Sequence, residues 1–307
     1  MSPPRYRGRF APSPTGALHF GSLIAALASY CDARAQGGEW LLRIEDVDLT
    51  RRRAGAAEAI AATLTTYGFV WDGPVCKQSE RGALYAQALD RLREQGRLFA
   101  CACTRRELEA TLPGPAGERV YPGTCRGRPV AGTEGRAWRV LVDDAPVAFS
   151  DRLQGRQQQR LDRDVGDFVV RRGDGLFAYQ LAVVVDDALQ GITDVVRGAD
   201  LLASTPRQIW LQRQLGFATP TYLHHPIAID GSGRKLSKET GAAQLPDDPL
   251  PALFRAWQFL GQSAPQRPPR SVAAFWRWAI AAWDSRSLPP VAMLPSDADV
   301  ASQPFAR

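Results

Sequence analysis

The 307-residue chain contains no run of 18 apolar residues, and its start, Met1 to Arg9, is polar and Pro-bearing. It therefore offers neither a membrane-spanning helix nor a signal-peptide core, and the expected compartment is the cytoplasm, with no membrane role. The five cysteines, Cys31, Cys76, Cys101, Cys103 and Cys125, are an odd and scattered set. That makes a poor disulfide framework for a chain of this length. There is no G-x-x-x-x-G-K-[ST] and no G-x-G-x-x-G, so a P-loop ATPase and a dinucleotide dehydrogenase are both unsupported. Internal repeats and low-complexity tracts are also missing. What is present is an ordinary globular composition, 45% hydrophobic and 23% charged, with a formal charge of +6. A basic balance suits a polyanionic partner, because Lys and Arg neutralise phosphates and release counterions.

Hydrophobic patterning orders the first third. Arg5 to Pro12 alternates basic and apolar residues and runs into the loop Pro12-Ser-Pro-Thr-Gly16. Leu23, Ile24, Leu27 and Tyr30 then recur at helical spacing, which predicts a helix from near Gly21. A second apolar strand (Gly38 to Ile44) and an Ala-rich helix (Arg52 to Tyr67) follow. Strand, helix, strand, helix is the opening of an α/β fold with a parallel sheet and right-handed crossovers. Between Cys76 and Gly173 the pattern changes to a helix (Gly82 to Gln95), a cysteine segment, a Gly/Pro-rich loop and short β-like runs at Trp138 to Val142 and Asp167 to Arg171. This segment reads as an insertion between two halves of the sheet. Residues 1–75 and 174–245 are thus expected to form one catalytic domain and 76–173 an inserted subdomain. Residues 246–307 are expected to form a short C-terminal segment with one Trp-rich helix, Val272 to Trp283. A strand is expected at Pro226 to Ile229.

Two segments carry chemistry. Pro12-Ser-Pro-Thr-Gly-Ala-Leu-His19-Phe-Gly21-Ser22 places a Gly-bearing loop ahead of a helix N-terminus, where backbone N–H groups and the positive dipole end attract a nucleotide's phosphates. Far along the chain, Lys235-Leu236-Ser237-Lys238-Glu239 lies on a Gly-flanked basic loop able to close on pyrophosphate. His19 is a candidate donor to a phosphate oxygen as charge builds, with Lys235 and Lys238 neutralising the leaving group. A dicarboxylate amino acid needs cationic forks for its acids and an anion for its amine. Arg9 and Arg197 can supply the forks, Glu45 the anion, and Tyr179 a hydroxyl. The weaker candidates are His224 and His225, which on one strand would face opposite sides, and Asp186-Asp187, read as a helix end rather than a ribose or Mg²⁺ ligand. The aromatic stripe Phe275, Trp276, Trp278 and Trp283 is read as a packing face rather than a base-stacking one.

The segment from Arg9 to Gly21 resembles the HIGH signature of the glutamyl branch of class I aminoacyl-tRNA synthetases, and Lys235 to Glu239 resembles its KMSKS signature. Ser22 stands where the second histidine of HIGH would be, and Leu236 and Glu239 where KMSKS has Met and Ser. The resemblance implies a Rossmann-like class I catalytic domain. It implies a glutamate site made of Arg9, Phe10, Ala11, Pro12, Ser13, Glu45, Tyr179 and Arg197, and ATP with Mg²⁺ held by His19, Gly21 and Lys238.

Cys101, Cys103 and Cys125 are good zinc ligands, but a tetrahedral site wants four, and spacing alone leaves Glu107, Glu118, Tyr121 or water for the last. The C-x-C…Y-x₃-C arrangement is similar to the zinc site of the glutamyl-Q tRNA(Asp) synthetase family, which implies Tyr121 and one Zn²⁺ per chain. Only 69 residues follow Lys238, so no anticodon-binding domain is expected. The same family resemblance implies transfer of glutamate to the queuosine of tRNA(Asp) by a monomer. The alternatives are an ordinary glutamyl-tRNA synthetase charging the 3′ end of tRNA(Glu) and a catalytically silent tRNA- or nucleotide-binding paralogue.

Overall fold

A computed structural model describes residues 5–115, 117–128, 132–236 and 243–296. Strand β1 (Arg7–Phe10) runs into the loop that leads to helix α1 (Phe20–Ala35), which buries Leu23, Ile24 and Leu27 along one side. The chain returns through β2 (Glu39–Ile44), and Gly38 permits this because a Cβ there would sit 2.6 Å from the Tyr6 carbonyl. The register is parallel, from Arg7 opposite Glu39 to Phe10 opposite Leu42, and β3 (Cys76–Lys77) adds a further parallel strand after α2 (Ala56–Thr66). The Ala-rich helix therefore begins four residues later than its composition indicates, behind Gly55 in the left-handed region.

The second half repeats the plan. Helix α3 (Gly82–Glu94) is followed by an antiparallel sheet of β4 (Leu98–Cys101), β5 (Ala137–Val140) and β8 (Val169–Arg171), ordered β4-β5-β8. Within the same stretch lie α4 (Arg105–Glu109), the hairpin β6 (Val147–Asp151) to β7 (Gly155–Gln159), and α5 (Leu161–Asp164). The chain then forms α6 (Tyr179–Leu189), β9 (Asp194–Gly198), α7 (Thr205–Leu215) and β10 (Thr221–His225), with β9 and β10 parallel. At the seam between the halves, Thr193 N–H donates to the Arg7 carbonyl at 3.0 Å, bringing β1 beside β9. The hairpin β6–β7 does not stay with the cysteine sheet: β6 pairs parallel with β10 at Tyr222 opposite Asp151.

The expected strand at Pro226 to Ile229 is present as β11 (Ile227–Ile229), and three elements the sequence did not announce, β10, α8 (Pro249–Phe259) and β12 (Met293–Pro295), are added. Strand β10 starts at Thr221, and Pro226, which has no N–H to give, separates it from β11 (Ile227–Ile229). After residue 246 there are two long helices rather than one: α8 (Pro249–Phe259) precedes α9 (Val272–Ala282). The proline-rich look of that stretch hid α8, yet Pro249 sits in its first turn, where a missing N–H costs nothing, behind the Asp248 cap. The chain also adds β12 (Met293–Pro295), parallel to β11. Phe275 and Trp276 of α9 are buried, and the Trp278 ring lies 4.7 Å from that of Trp257, so the aromatic stripe is a packing face. It closes a core around Tyr30, Trp40 and Phe69, while a second core joins α3, α6 and α7. No described helix is long and apolar enough to cross a membrane.

Candidate active site

One cavity of about 940 Å³ opens at the carboxyl ends of β1, β2, β9 and β10, where the two halves meet. This is the switch point at which open parallel sheets gather ligands. Its walls include Arg9 and Phe10 of β1, the loop residues Ala11, Pro12 and Ser13, and then His19, Gly21 and Ser22. Across from them stand Glu45, Tyr179 and Arg197, and at one edge Lys235 and Leu236. Residues from the two distant signatures thus share one space. Ser237, Lys238 and Glu239 lie outside the described residues.

His19 is the N-cap of α1, and Ser22 N–H donates to its Nδ1 at 3.4 Å. Accepting there leaves the ring's proton to Nε2, so the second nitrogen is a donor. Gly21 is tightly enclosed: a Cβ would lie 3.1 Å from His19 Cε1 and 3.3 Å from the Leu236 carbonyl, so either neighbour would have to shift slightly. The loop that carries Lys235 is turned by Asp230, whose Oδ1 accepts from Ser232 and Arg234 N–H, and Lys235 Nζ reaches Asp200 at 2.5 Å.

Arg9 is less available than its position implies. Its Nε and Nη2 face Asp187 at 3.1 and 3.4 Å, and Arg43 Nη2 meets the same carboxylate at 2.6 Å. Arg9 therefore does not present an open fork. Burial alone would raise the Asp187 carboxyl, but the two guanidiniums hold it below its ordinary value. Asp187 and Asp186 are buried in α6 and act as charge partners, not as helix caps. Asp186 accepts from Arg81 Nε at 2.6 Å, Gln78 at 2.8 Å and Tyr85 at 2.8 Å.

Glu45 is also close to Arg43, at 3.8 Å, with its side chain 9% exposed. Burial outweighs the neighbouring cations and pushes its carboxyl up to about 7. Burial and Glu45 together push the Tyr179 hydroxyl up to about 12. Arg197 lies beyond, buried, with Nε donating to His224 Nε2 at 3.0 Å and Nη2 to Thr205 Oγ1 at 2.9 Å. Its Nη1 is buried without a partner. A cation with one unsatisfied donor on the wall of a cavity is suited to a carboxylate. Among described residues His225 Nε2 is likewise buried and unpartnered, because Nδ1 is taken by the Pro226 carbonyl at 2.8 Å.

Away from this cavity, the Sγ atoms of Cys101, Cys103 and Cys125 lie within 4.8 Å of one another. The Tyr121 hydroxyl joins them, 3.6 Å from Cys101 Sγ and accepting from Cys125 N–H at 2.9 Å. Three sulfurs and one oxygen at this spacing fit a small tetrahedral ion such as zinc. Glu118, one of the candidates left open by spacing, pairs with Arg207 instead.

Residues 5–250 match the family model for tRNA synthetases class I (E and Q), catalytic domain. The protein of Dechloromonas aromatica named Glutamyl-Q tRNA(Asp) synthetase is 60% identical over 288 residues, covering 92% of this chain and 96% of its own length. Its namesake in Burkholderia cenocepacia is 56% identical, over 92% and 97%.

The chain belongs to the glutamyl-Q tRNA(Asp) synthetases, within the class I family.

As a glutamyl-Q synthetase it is an enzyme of the aminoacyl-tRNA ligase type. Its fold is shared with the glutamate tRNA ligase of Elizabethkingia meningosepticum, solved in complex with its amino acid: TM-score 0.79 at 24% identity, covering 96% of this chain and 68% of that one. In this glutamyl-Q synthetase, sequence reasoning missed Arg43, Asp151, Thr205 and Asp200, and undervalued Asp187 and His224. Arg43, two residues before Glu45 in an apolar strand, was the visible signal, because a charge in a buried strand needs a partner.

Proposed function

We propose that the cavity activates L-glutamate with Mg·ATP to glutamyl-adenylate without needing tRNA, and then passes the glutamyl group to the queuosine base of tRNA(Asp). The observation that carries this reading is Arg197: it lines the same cavity as Glu45, Tyr179 and the helix terminus bearing His19, and its Nη1 is buried without a partner. The substrate's carboxylate would satisfy Nη1, and its ammonium would meet Glu45. Phe10 to Ser13 would wall the amino acid, with the Phe10 ring turned into the core against Trp40.

His19 Nε2–H, Lys235 and Lys238 would stabilise charge on the phosphates as the α-carboxylate attacks the α-phosphorus and pyrophosphate leaves. A queuosine hydroxyl then attacks the activated carbonyl, AMP departs, and no side chain serves as a covalent nucleophile. The enzyme would work as a monomer in the cytoplasm. Residues 1–75 with 174–245 would form the catalytic domain, residues 76–173 the insertion, and 246–307 the closing helical segment. Cys101, Cys103, Tyr121 and Cys125 would hold one zinc, which would cross-link their segments beside the antiparallel sheet.

The test is glutamate-dependent ATP–pyrophosphate exchange without tRNA, followed by charging of tRNA(Asp) with and without queuosine. Exchange followed by queuosine-dependent charging is expected. Charging of the 3′ end of tRNA(Glu), or no exchange at all, would sink the reading. Lys238→Ala is expected to abolish exchange while circular dichroism stays unchanged.

A further inference from the structure

The two arginines proposed to serve glutamate are held in different ways. Arg9 meets a carboxylate directly, whereas Arg197 meets a neutral-type partner, the His224 ring, which is itself held by a carboxylate. We infer that Asp151 is a positioning residue that sets the tautomer of His224 and thereby aims Arg197 at the substrate carboxylate. This inference rests on the proposed role of Arg197.

Asp151, His224, Thr205 and Arg197 form one buried hydrogen-bonded set. Asp151, at the end of β6, is fully buried, and its Oδ1 accepts from the N–H groups of Leu153 at 3.0 Å, Gln154 at 2.8 Å and His224 at 3.2 Å. Its Oδ2 is left for His224 Nδ1, 2.6 Å away. Burial would raise Asp151, but the imidazole and the backbone donors hold it below its ordinary value, so it is an acceptor only. Burial and the Arg197 cation push His224 down to about 4, so the ring carries a single proton at neutral pH. That proton must sit on Nδ1, facing Asp151. Nε2 then holds a bare lone pair, accepts from Arg197 Nε at 3.0 Å and lies 3.2 Å from the Thr205 hydroxyl.

The consequence is a guanidinium pinned at two nitrogens. Nε is bound by His224 and Nη2 by Thr205, while the Tyr222 ring lies 5.5 Å from the guanidinium carbon. Only Nη1 remains for a ligand. In the other tautomer, an N–H on Nε2 would face the N–H of Arg197, and the contact at 3.0 Å would turn repulsive. The arginine would then have to leave its present plane. Asp151 comes from a hairpin within the stretch expected to be an insertion, so one loop of that stretch governs the substrate pocket.

Asp151→Asn tests this selectively. The three backbone donors keep the amide oxygen at the Oδ1 position, so the NH₂ occupies the Oδ2 position and donates to Nδ1. The ring is driven into the wrong tautomer with little change of shape. In pyrophosphate exchange the glutamate KM is expected to rise roughly tenfold to a hundredfold, with the ATP KM within about twofold of the parent. In a His224→Gln background, where the side-chain amide can turn its oxygen to Arg197 whatever residue 151 is, Asp151→Asn should have no further effect. Effects that add, or equal changes in both KM values and kcat, would reduce Asp151 to scaffolding and overturn the inference. Should Asp151→Asn fail to fold, the ring position decides alone. His224→Gln, which can place an oxygen near Nε2, must keep a lower glutamate KM than His224→Asn, and the reverse order overturns the inference. Arg197→Ala separates the two layers: a normal glutamate KM there refutes the role of Arg197, whereas a raised one alongside a normal Asp151→Asn refutes only the relay.

Discussion

Replacing Glu45 by Gln is expected to make the ligand-free protein more stable at about pH 8 while weakening its hold on glutamate. Burial outweighs Arg43 and Arg9 and raises the Glu45 carboxyl from 4.5 to about 7. A carboxyl with a raised folded pKa keeps its proton when folded and releases it on unfolding, so stability falls as pH rises from 4.5 to about 7. Above that window the full penalty for holding the charge is present, about 3 kcal/mol for this displacement. Glutamine resembles the protonated acid and escapes the penalty. Urea unfolding should therefore give equal stabilities for parent and variant at about pH 4, and a variant more stable by up to about 3 kcal/mol at about pH 8. A substrate ammonium supplies the missing cation, so glutamate binding by the parent should strengthen as pH passes 7. The variant should lose that pH dependence and about 1.5–3 kcal/mol of affinity, measured by calorimetry. Parallel stability curves for the two proteins, or a parent more stable than the variant at about pH 8, would refute the reasoning.

Other outcomes follow from the same geometry. Asp187→Ala leaves Arg9 and Arg43 buried without their shared carboxylate and should cost about 3–5 kcal/mol in urea unfolding. Because the Asp187 carboxyl is held below its ordinary value, its stabilising effect should be complete at neutral pH and fade only as pH falls through that depressed value. Cys125→Ser should abolish stoichiometric zinc by metal analysis, and an unchanged metal content would remove the thiolate cluster from consideration. Gly21→Ala puts a methyl 3.1 Å from the His19 ring and should raise the ATP KM more than the glutamate KM.

Several features were legible because they are local. The helical spacing of Leu23, Ile24, Leu27 and Tyr30 announces α1, and the cysteine spacing announces a cluster that the fold does close. The Pro226 break was legible in principle, yet the strand before it was overlooked because Thr221–His225 has no clear alternation: four of its five residues are buried. Helix α8 was hidden by prolines that turn out to occupy its first turn. The partners of the buried charges were not legible at all. Arg9 and Asp187 are 178 positions apart, and nothing near either names the other.

What the sequence determined by itself was the opening order of strands and helices through α2 and the kinds of charge proposed to meet a dicarboxylate and a triphosphate. Those depend on residue type and short spacing. Only the tertiary structure decided that Asp187 takes up the fork of Arg9, that Arg197 retains one unsatisfied nitrogen, and that Glu45 holds a proton to about pH 7. The reason is physical: burial and long-range strand pairing set the partner, the tautomer and the charge of each group, and both arise only when distant segments pack.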